Sequence, residues 1–296
     1  MPSLNRNISL VDTTIRDGQQ APGLAFSLDT RTLLIEALDQ IGLARIEAIY
    51  PGMSIRENRA AKRWPEIATR AKIVAWNRLN VGDVKASMAL KPGVIHVGFP
   101  VSESHMERKI MATFDKAAAT LETCLDMARV SGFEVSVGLE DASRASYQRL
   151  IQARSLMLYL QAGRVRLSDT VGILTPASTK RLVEFFVAGG LKVEFHAHND
   201  LGMATANSLM AAQSGADSID VTLLGIGERA GNASLSAFVA LAEKTPGLSL
   251  DVTLEQASKI EDAFKKFLNR DEYLGTLSNS SGSDITDWVD HHGCRD

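Results

Sequence analysis

Short apolar runs rich in β-branched residues alternate along the chain with longer stretches of mixed polarity. The runs begin at Ile8 (ISLVDTT), Ala44 (ARIEAIY), Ala71 (AKIVAW), Val94 (VIHVGF), Phe133 (FEVSVGLE), Gly163 (GRVRLSD), Leu191 (LKVEFHAH) and Ser218 (SIDVTLLG). Between them, segments such as SLDTRTLLIEALDQIG, SESHMERKIMATFDKAAATLETCLDMARVSG and DLGMATANSLMAAQSGA repeat apolar residues at three- and four-residue spacing. That spacing predicts helices, and several of them close on Gly, a helix C-cap. Strands alternating with helices predict a parallel sheet. Eight such units predict an α/β fold of the (β/α)8 TIM-barrel type. An open doubly wound sheet usually has fewer strands, and DGQQAPG after the first run is a poor dinucleotide cradle. Beyond about Pro246 the pattern changes. One more helix is expected over LEQASKIEDAFKKFLNR, then a polar, aperiodic stretch, GTLSNSSGSDITDWVDHHGCRD, expected to be loosely ordered. The expected organisation is a catalytic barrel over residues 1–247 and a helix with an irregular tail over 248–296.

Composition narrows the partners. The chain has 296 residues, with 32 basic and 35 acidic side chains and a net charge of −3. That balance offers no electrostatic reason to expect nucleic acid or a membrane surface as a partner. Cys124 and Cys294 make neither a metal-ligand pair nor a disulfide framework, so a reducing compartment is expected. MPSLNRNISL lacks the apolar core of a signal peptide, and no run approaches the length of a spanning helix. The expected location is cytoplasmic.

The active site of such a barrel lies at the C-terminal ends of its strands. The first run ends in Arg16-Asp17, and the seventh in His196-Ala197-His198. Side chains at i and i+2 of a strand share a face, so the two imidazoles converge as a metal site needs. The eighth run ends in a loop with Gly225, Gly227, Glu228, Arg229, Gly231 and Asn232, suited to close approach of backbone and ligand. In the fifth, Glu140 sits at the rim facing inward, while Asp141 and Ser143 are expected to cap a helix. Asp17, His196, His198 and Asn232 together offer two nitrogens and two oxygens, a set suited to Mg²⁺, Mn²⁺, Fe²⁺ or Zn²⁺ with open positions. Arg16 beside that ion suits chemistry at a carbonyl oxygen.

The blocks VDTTIRDGQQAPGLAFS, VSVGLEDASR, RLSDTVGILTP, HAHNDLGMATANSL and GIGERAGNASL resemble those of the isopropylmalate, homocitrate and citramalate synthases, above all the nitrogen-fixation type of homocitrate synthase. The similarity spans about residues 8 to 245. It implies a divalent metal on Asp17, His196 and His198, with Asn232 in or near its sphere. It implies Arg16 polarising a 2-oxo group, Thr170 holding the oxo acid's carboxylate, and Glu140 facing the active site. Gln20 is the retained glutamine of the family's R-D-G-x-Q block, and is expected on the substrate side. The loop with Gly225, Gly227, Glu228 and Gly231 is expected near acyl-CoA. The implied activity is an acyltransferase condensing acetyl-CoA with a 2-oxo acid, in a homodimer.

The sequence departs from the family at Gln19, where Glu is usual, and at Ile49, where Gly is usual. It also lacks the family's C-terminal block, which supplies His and Tyr to a partner's site. A second chain bringing that extension is therefore one alternative. A carbon–carbon lyase of the hydroxymethylglutaryl-CoA type is another, although that enzyme carries Cys in the loop that here reads GIGERAGN. After the fourth run, His105, Arg108 and Lys109 carry two readings: cations for a distal carboxylate, which would favour 2-oxoglutarate, or the solvated charges of a helix start.

Overall fold

A computed structural model describes residues 5–268. Eight parallel strands close into a barrel in chain order. They are β1 (Ser9–Asp12), β2 (Arg45–Ile49), β3 (Lys72–Asn77), β4 (Val94–Pro100), β5 (Glu134–Glu140), β6 (Arg164–Asp169), β7 (Lys192–Ala197) and β8 (Ser218–Val221). Each falls in one of the eight apolar runs. Helices follow every strand, and β8 returns to pair with β1, Ser9 opposite Ser218. A two-residue parallel pairing of Arg6–Asn7 with Leu248–Ser249 lies outside the barrel.

Helix starts follow the capping chemistry of the sequence. Ser27, Asn80, Thr113, Ser146, Thr175 and Ser234 each accept a hydrogen bond from a first-turn amide. The long helix expected after β4 is broken. A short helix, Glu103–His105, runs into a π-helical turn over Met106–Ile110, which ends at left-handed Met111 (φ 48°). The main helix starts only at Phe114, where Thr113 caps it. The Thr113 cap offers the backbone a better start than continuation through Met111. The helix expected after residue 253 is present as Leu254–Leu268. The expected irregular tail lies outside the described residues.

Strand alternation divides the barrel into two layers. Outward residues such as Ile95, Val97, Phe99, Val137, Leu139, Val165, Leu167 and Phe195 are fully buried against the helices. Inward residues on the same strands include His96, Ser136, Arg166, Glu194 and His196, all buried as well. The apolar core is therefore a shell between sheet and helices, and the barrel interior is polar. No helix among the described residues is long and apolar enough to cross a membrane.

Candidate metal and substrate site

The turn after β1 carries Arg16 and Asp17, fixed by the Asp17 amide donating to the Thr13 carbonyl (2.7 Å). Gln19 stays in this turn as a brace. Its side-chain amide donates to the Ile15 carbonyl, and its oxygen accepts from the Phe26 amide (3.1 Å). Gln20 faces the cleft.

Asp17, His196 and His198 converge from β1 and β7, with one donor atom of each within 4.8 Å of the others. His196 Nε2 lies 3.3 Å from His198 Nε2 and 3.4 Å from Asp17 Oδ2. All three residues are buried. Asn232 donates through Nδ2 to Asp17 Oδ1 (3.1 Å) and to the Ile226 carbonyl (3.1 Å). Its Oδ1, and Nδ1 of His198, are buried without a partner. Two imidazoles crowding one carboxylate, with an orphaned amide oxygen beside them, fit a divalent cation.

Burial works against ionising Asp17, but Arg16 and His196 outweigh it and hold the carboxyl well below its ordinary range. Burial likewise lowers the His196 pKa. Its hydrogen bonds to Asp17 and Asp220 more than reverse this and raise it to about 9. His198 moves the other way, lowered by burial and by the neighbouring His196 to about 4. A proton and a divalent ion therefore compete for His196, while His198 stands neutral and ready to ligate.

Arg16 is anchored on two sides. Its Nε donates to Glu47 Oε1 (2.6 Å) and one Nη to Asp17 Oδ2 (3.1 Å), and its guanidinium lies 5.4 Å from the Trp76 ring centre. Glu47 is fully buried, and Arg16 and Arg166 overcome the burial to keep it ionised.

Thr170 lines the same cleft, where its Oγ1 accepts from the Asp141 amide (2.8 Å). Its hydroxyl proton is left for a ligand. The loop with Gly225, Gly227 and Gly231 folds back over Asp17. A Cβ on Gly227 would strike Asn232 Nδ2, and Gly231 needs φ +88° while lying against the backbone of Gly225. Glu228 donates its amide to Asp17 Oδ1 (3.2 Å). Arg229 straps the loop to Asp200 (2.8 Å) and to the Thr170 carbonyl (2.6 Å).

Across the barrel, Gly98 of β4 and Gly138 of β5 are register partners. A Cβ on Gly138 would come within 2.5 Å of His96 Nε2, and one on Gly98 would strike Glu140. The glycines make room for those two side chains along the cleft. His96 is buried, its Nδ1 bonded to Ser136 (2.8 Å) and its Nε2 unpartnered. Burial lowers its pKa to about 3. Glu140 pairs with Lys109 Nζ (2.5 Å) at the rim.

Sequence reasoning is amended at three positions. His105 is not among the cleft residues. It turns toward Asp141 (3.8 Å), and the π-helical turn brings Lys109 to the cleft instead. Asp141 caps no helix: at φ 60° its carboxylate accepts from Ser102 (2.5 Å) and Arg144 (2.7 Å). Ser143 Oγ makes no hydrogen bond, and Ser146 caps the helix that follows. The pattern reading also missed Glu47, Trp76, His96, Arg166 and Asp220. Four of these are ionisable residues inside apolar runs, and that interruption was their signal.

The HMGL-like family model matches residues 7–263. The chain is 38% identical over 245 residues to homocitrate synthase 1 of a Nostoc species, covering 81% of this chain and 64% of that protein. It is 34% identical over 263 residues to the homocitrate synthase subunit alpha of Clostridium pasteurianum, covering 88% and 98%. With 2-isopropylmalate synthase 2 of Caldanaerobacter subterraneus it shares 33% over 259 residues, 87% of this chain and 67% of the relative. Among solved structures, the hydroxymethylglutaryl-CoA lyase of Brucella melitensis superposes with a TM-score of 0.77 at 20% identity, covering 90% and 100%. At that identity the likeness is one of fold.

Proposed function

Because the chain belongs to the HMGL-like family, we propose that it condenses acetyl-CoA with a 2-oxo acid, 2-oxoglutarate in particular. Hydrolysis of the thioester then gives free CoA and a 2-hydroxy tricarboxylic acid. The observation that carries this reading is the convergence of Asp17, His196 and His198 beside Arg16 at one end of the cleft. Asp17, His196, His198 and Asn232 would hold the divalent ion, which supplies Lewis-acid polarisation of the 2-oxo group.

The remaining steps belong to the chain's own side chains. Arg16 has Nε and one Nη engaged, so further N–H groups are free to donate to the oxygen that gains charge on attack. Thr170 donates its hydroxyl proton to the substrate's 1-carboxylate, with Gln20 beside it. Glu140, held by Lys109, handles protons in the cleft. Lys109 also supplies the cation for a distal carboxylate. The loop bearing Gly225, Gly227, Glu228 and Gly231 faces the acyl-CoA side. On this reading the barrel over residues 1–247 is the catalytic unit, and it pairs as a homodimer.

A second reading has a specific observation behind it. The chain spans 64% of the Nostoc relative's length, but 98% of a Clostridium protein named as an alpha subunit. In this reading the barrel binds metal and oxo acid, and a separate chain completes the site.

One assay tests both. The purified protein is incubated with Mn²⁺, acetyl-CoA and a panel of 2-oxo acids while free CoA thiol is followed. Metal-dependent thiol release with 2-oxoglutarate is the expected result. Calorimetric binding of Mn²⁺ and 2-oxoglutarate without turnover would favour the two-chain reading. Cleavage of hydroxymethylglutaryl-CoA by the same sample, without condensation, would replace both with a lyase.

A further inference from the structure

At the floor of the cleft, six ionisable side chains close into a ring. Asp17 Oδ2 meets Arg16 Nη1 at 3.1 Å, and Arg16 Nε meets Glu47 Oε1 at 2.6 Å. Glu47 Oε2 meets Arg166 Nη2 at 2.7 Å, and Arg166 Nε meets Asp220 Oδ2 at 2.9 Å. The same Asp220 oxygen meets His196 Nδ1 at 3.0 Å, and His196 Nε2 returns to Asp17 at 3.4 Å. Carboxylates alternate with cationic or cation-capable groups all the way round. Arg166 is the member opposite Asp17, and it touches neither Asp17, Arg16 nor His196 in any of these pairings.

We infer that Arg166 is the positioning residue of this site, setting Arg16 through Glu47 and His196 through Asp220. Its contacts favour that role over substrate binding. Arg166 reaches the cleft wall but is only 3% exposed, and three carboxylates occupy its Nε and Nη2: Glu194 at 2.6 Å, Asp220 and Glu47. Arginine suits the task because a planar guanidinium holds two carboxylates at once in fixed directions, which a lysine ammonium does not. Glu47 directs the Nε edge of Arg16, leaving the outer nitrogens toward the cleft. Asp220 accepts from His196 Nδ1, which fixes the tautomer with Nε2 facing Asp17 and His198. One buried guanidinium thus aligns the oxyanion donor in the turn after β1 and a metal-ligand imidazole on β7.

The inference rests on the proposed reading only in taking Asp17, His196 and His198 as the metal site. Mn²⁺ affinity measured by calorimetry, without substrates, is therefore compared with kcat for CoA release and with melting temperature. Arg166→Lys is expected to weaken Mn²⁺ binding about tenfold, the usual size of a lost outer-sphere partner, and to lower kcat at least as much. Glu194→Gln removes a carboxylate that contacts Arg166 but lies outside the ring. It is expected to lower the melting temperature while leaving Mn²⁺ affinity and kcat within twofold. If Arg166→Lys does not fold, Arg166→Met/Glu194→Gln, which removes one charge of each sign, carries the same expectation. Wild-type Mn²⁺ affinity and kcat in the folded Arg166 variant would overturn the inference. So would equal losses in the Glu194 variant, because the effect would then follow stability. Wild-type protein that binds no Mn²⁺ would remove the metal reading, and this inference with it.

Discussion

Where β1, β7 and β8 meet, Asp17, His196 and Asn232 are each held by at least two neighbours. Four strands away, β4 and β5 face the same cleft with Gly98 and Gly138. One wall is tied and charged. The other is cleared of side chains at its two glycines, where His96, with an unpartnered Nε2, and Glu140, paired with Lys109 at the rim, take the space. The difference separates two tasks. Groups that meet developing charge must be held in place before the reaction, because reorienting them costs rate. Groups that meet the variable part of a substrate need room more than rigidity.

Substitutions on the tied wall should cost the most. His196→Ala is expected to abolish both Mn²⁺ binding and CoA release, and full activity would remove the metal assignment. Arg16→Ala should keep the metal, as seen by calorimetry, yet lower kcat by about a hundredfold or more, the scale of losing an oxyanion donor. An unchanged rate would make Arg16 a structural partner of Glu47.

Acidity probes the same wall without mutation. Burial lowers the His196 pKa, but Asp17 and Asp220 raise it to about 9, above its ordinary value. Below that pH the ring carries a proton that an incoming cation must displace. Mn²⁺ affinity should therefore rise with pH, by about tenfold per unit between pH 6 and 8. A flat profile by calorimetry would show that no proton leaves on binding.

The cleared wall should respond more mildly, and in KM more than in kcat. Gly138→Ala drives a methyl against His96 Nε2, so KM for the oxo acid should rise on the order of tenfold, about 1.4 kcal/mol. A pure kcat effect would place the reacting atoms, not the substrate tail, on this side. Lys109→Met should raise KM for 2-oxoglutarate about threefold, as expected for a half-exposed cation, and leave 2-oxoisovalerate unaffected. Equal effects on both acids would break the assignment of Lys109 to a distal carboxylate.

The two walls were not equally legible in the amino-acid sequence. All eight strands were, because β-branched runs separated by helical spacing leave few other arrangements. His196 and His198 were legible from their two-residue spacing, and Asp17 from its place at a strand end. The Glu47–Arg166–Asp220 arc was not. It is made of single charges on three strands, up to 173 positions apart in number between Glu47 and Asp220, and only barrel closure brings them together. The cleared wall escaped notice for another reason. Gly98 and Gly138 act by what they lack, and only the fold shows that Glu140 and His96 take that space. His105 was favoured over Arg108 and Lys109 for the substrate side, and the π-helical turn that brings Lys109 to the cleft instead has no simple sequence mark.

A closed ring also constrains how the gene can drift. Every member has two neighbours of opposite character, so a single replacement that removes or reverses a charge leaves a buried partner unmatched. Tolerated histories would pass through paired exchanges, such as Glu47 with Arg166, rather than one position at a time. The glycine wall opposite has no closed ring, only separate pairs: Glu140 with Lys109 and His96 with Ser136. A change there needs at most one compensating partner, while the ring is inherited whole.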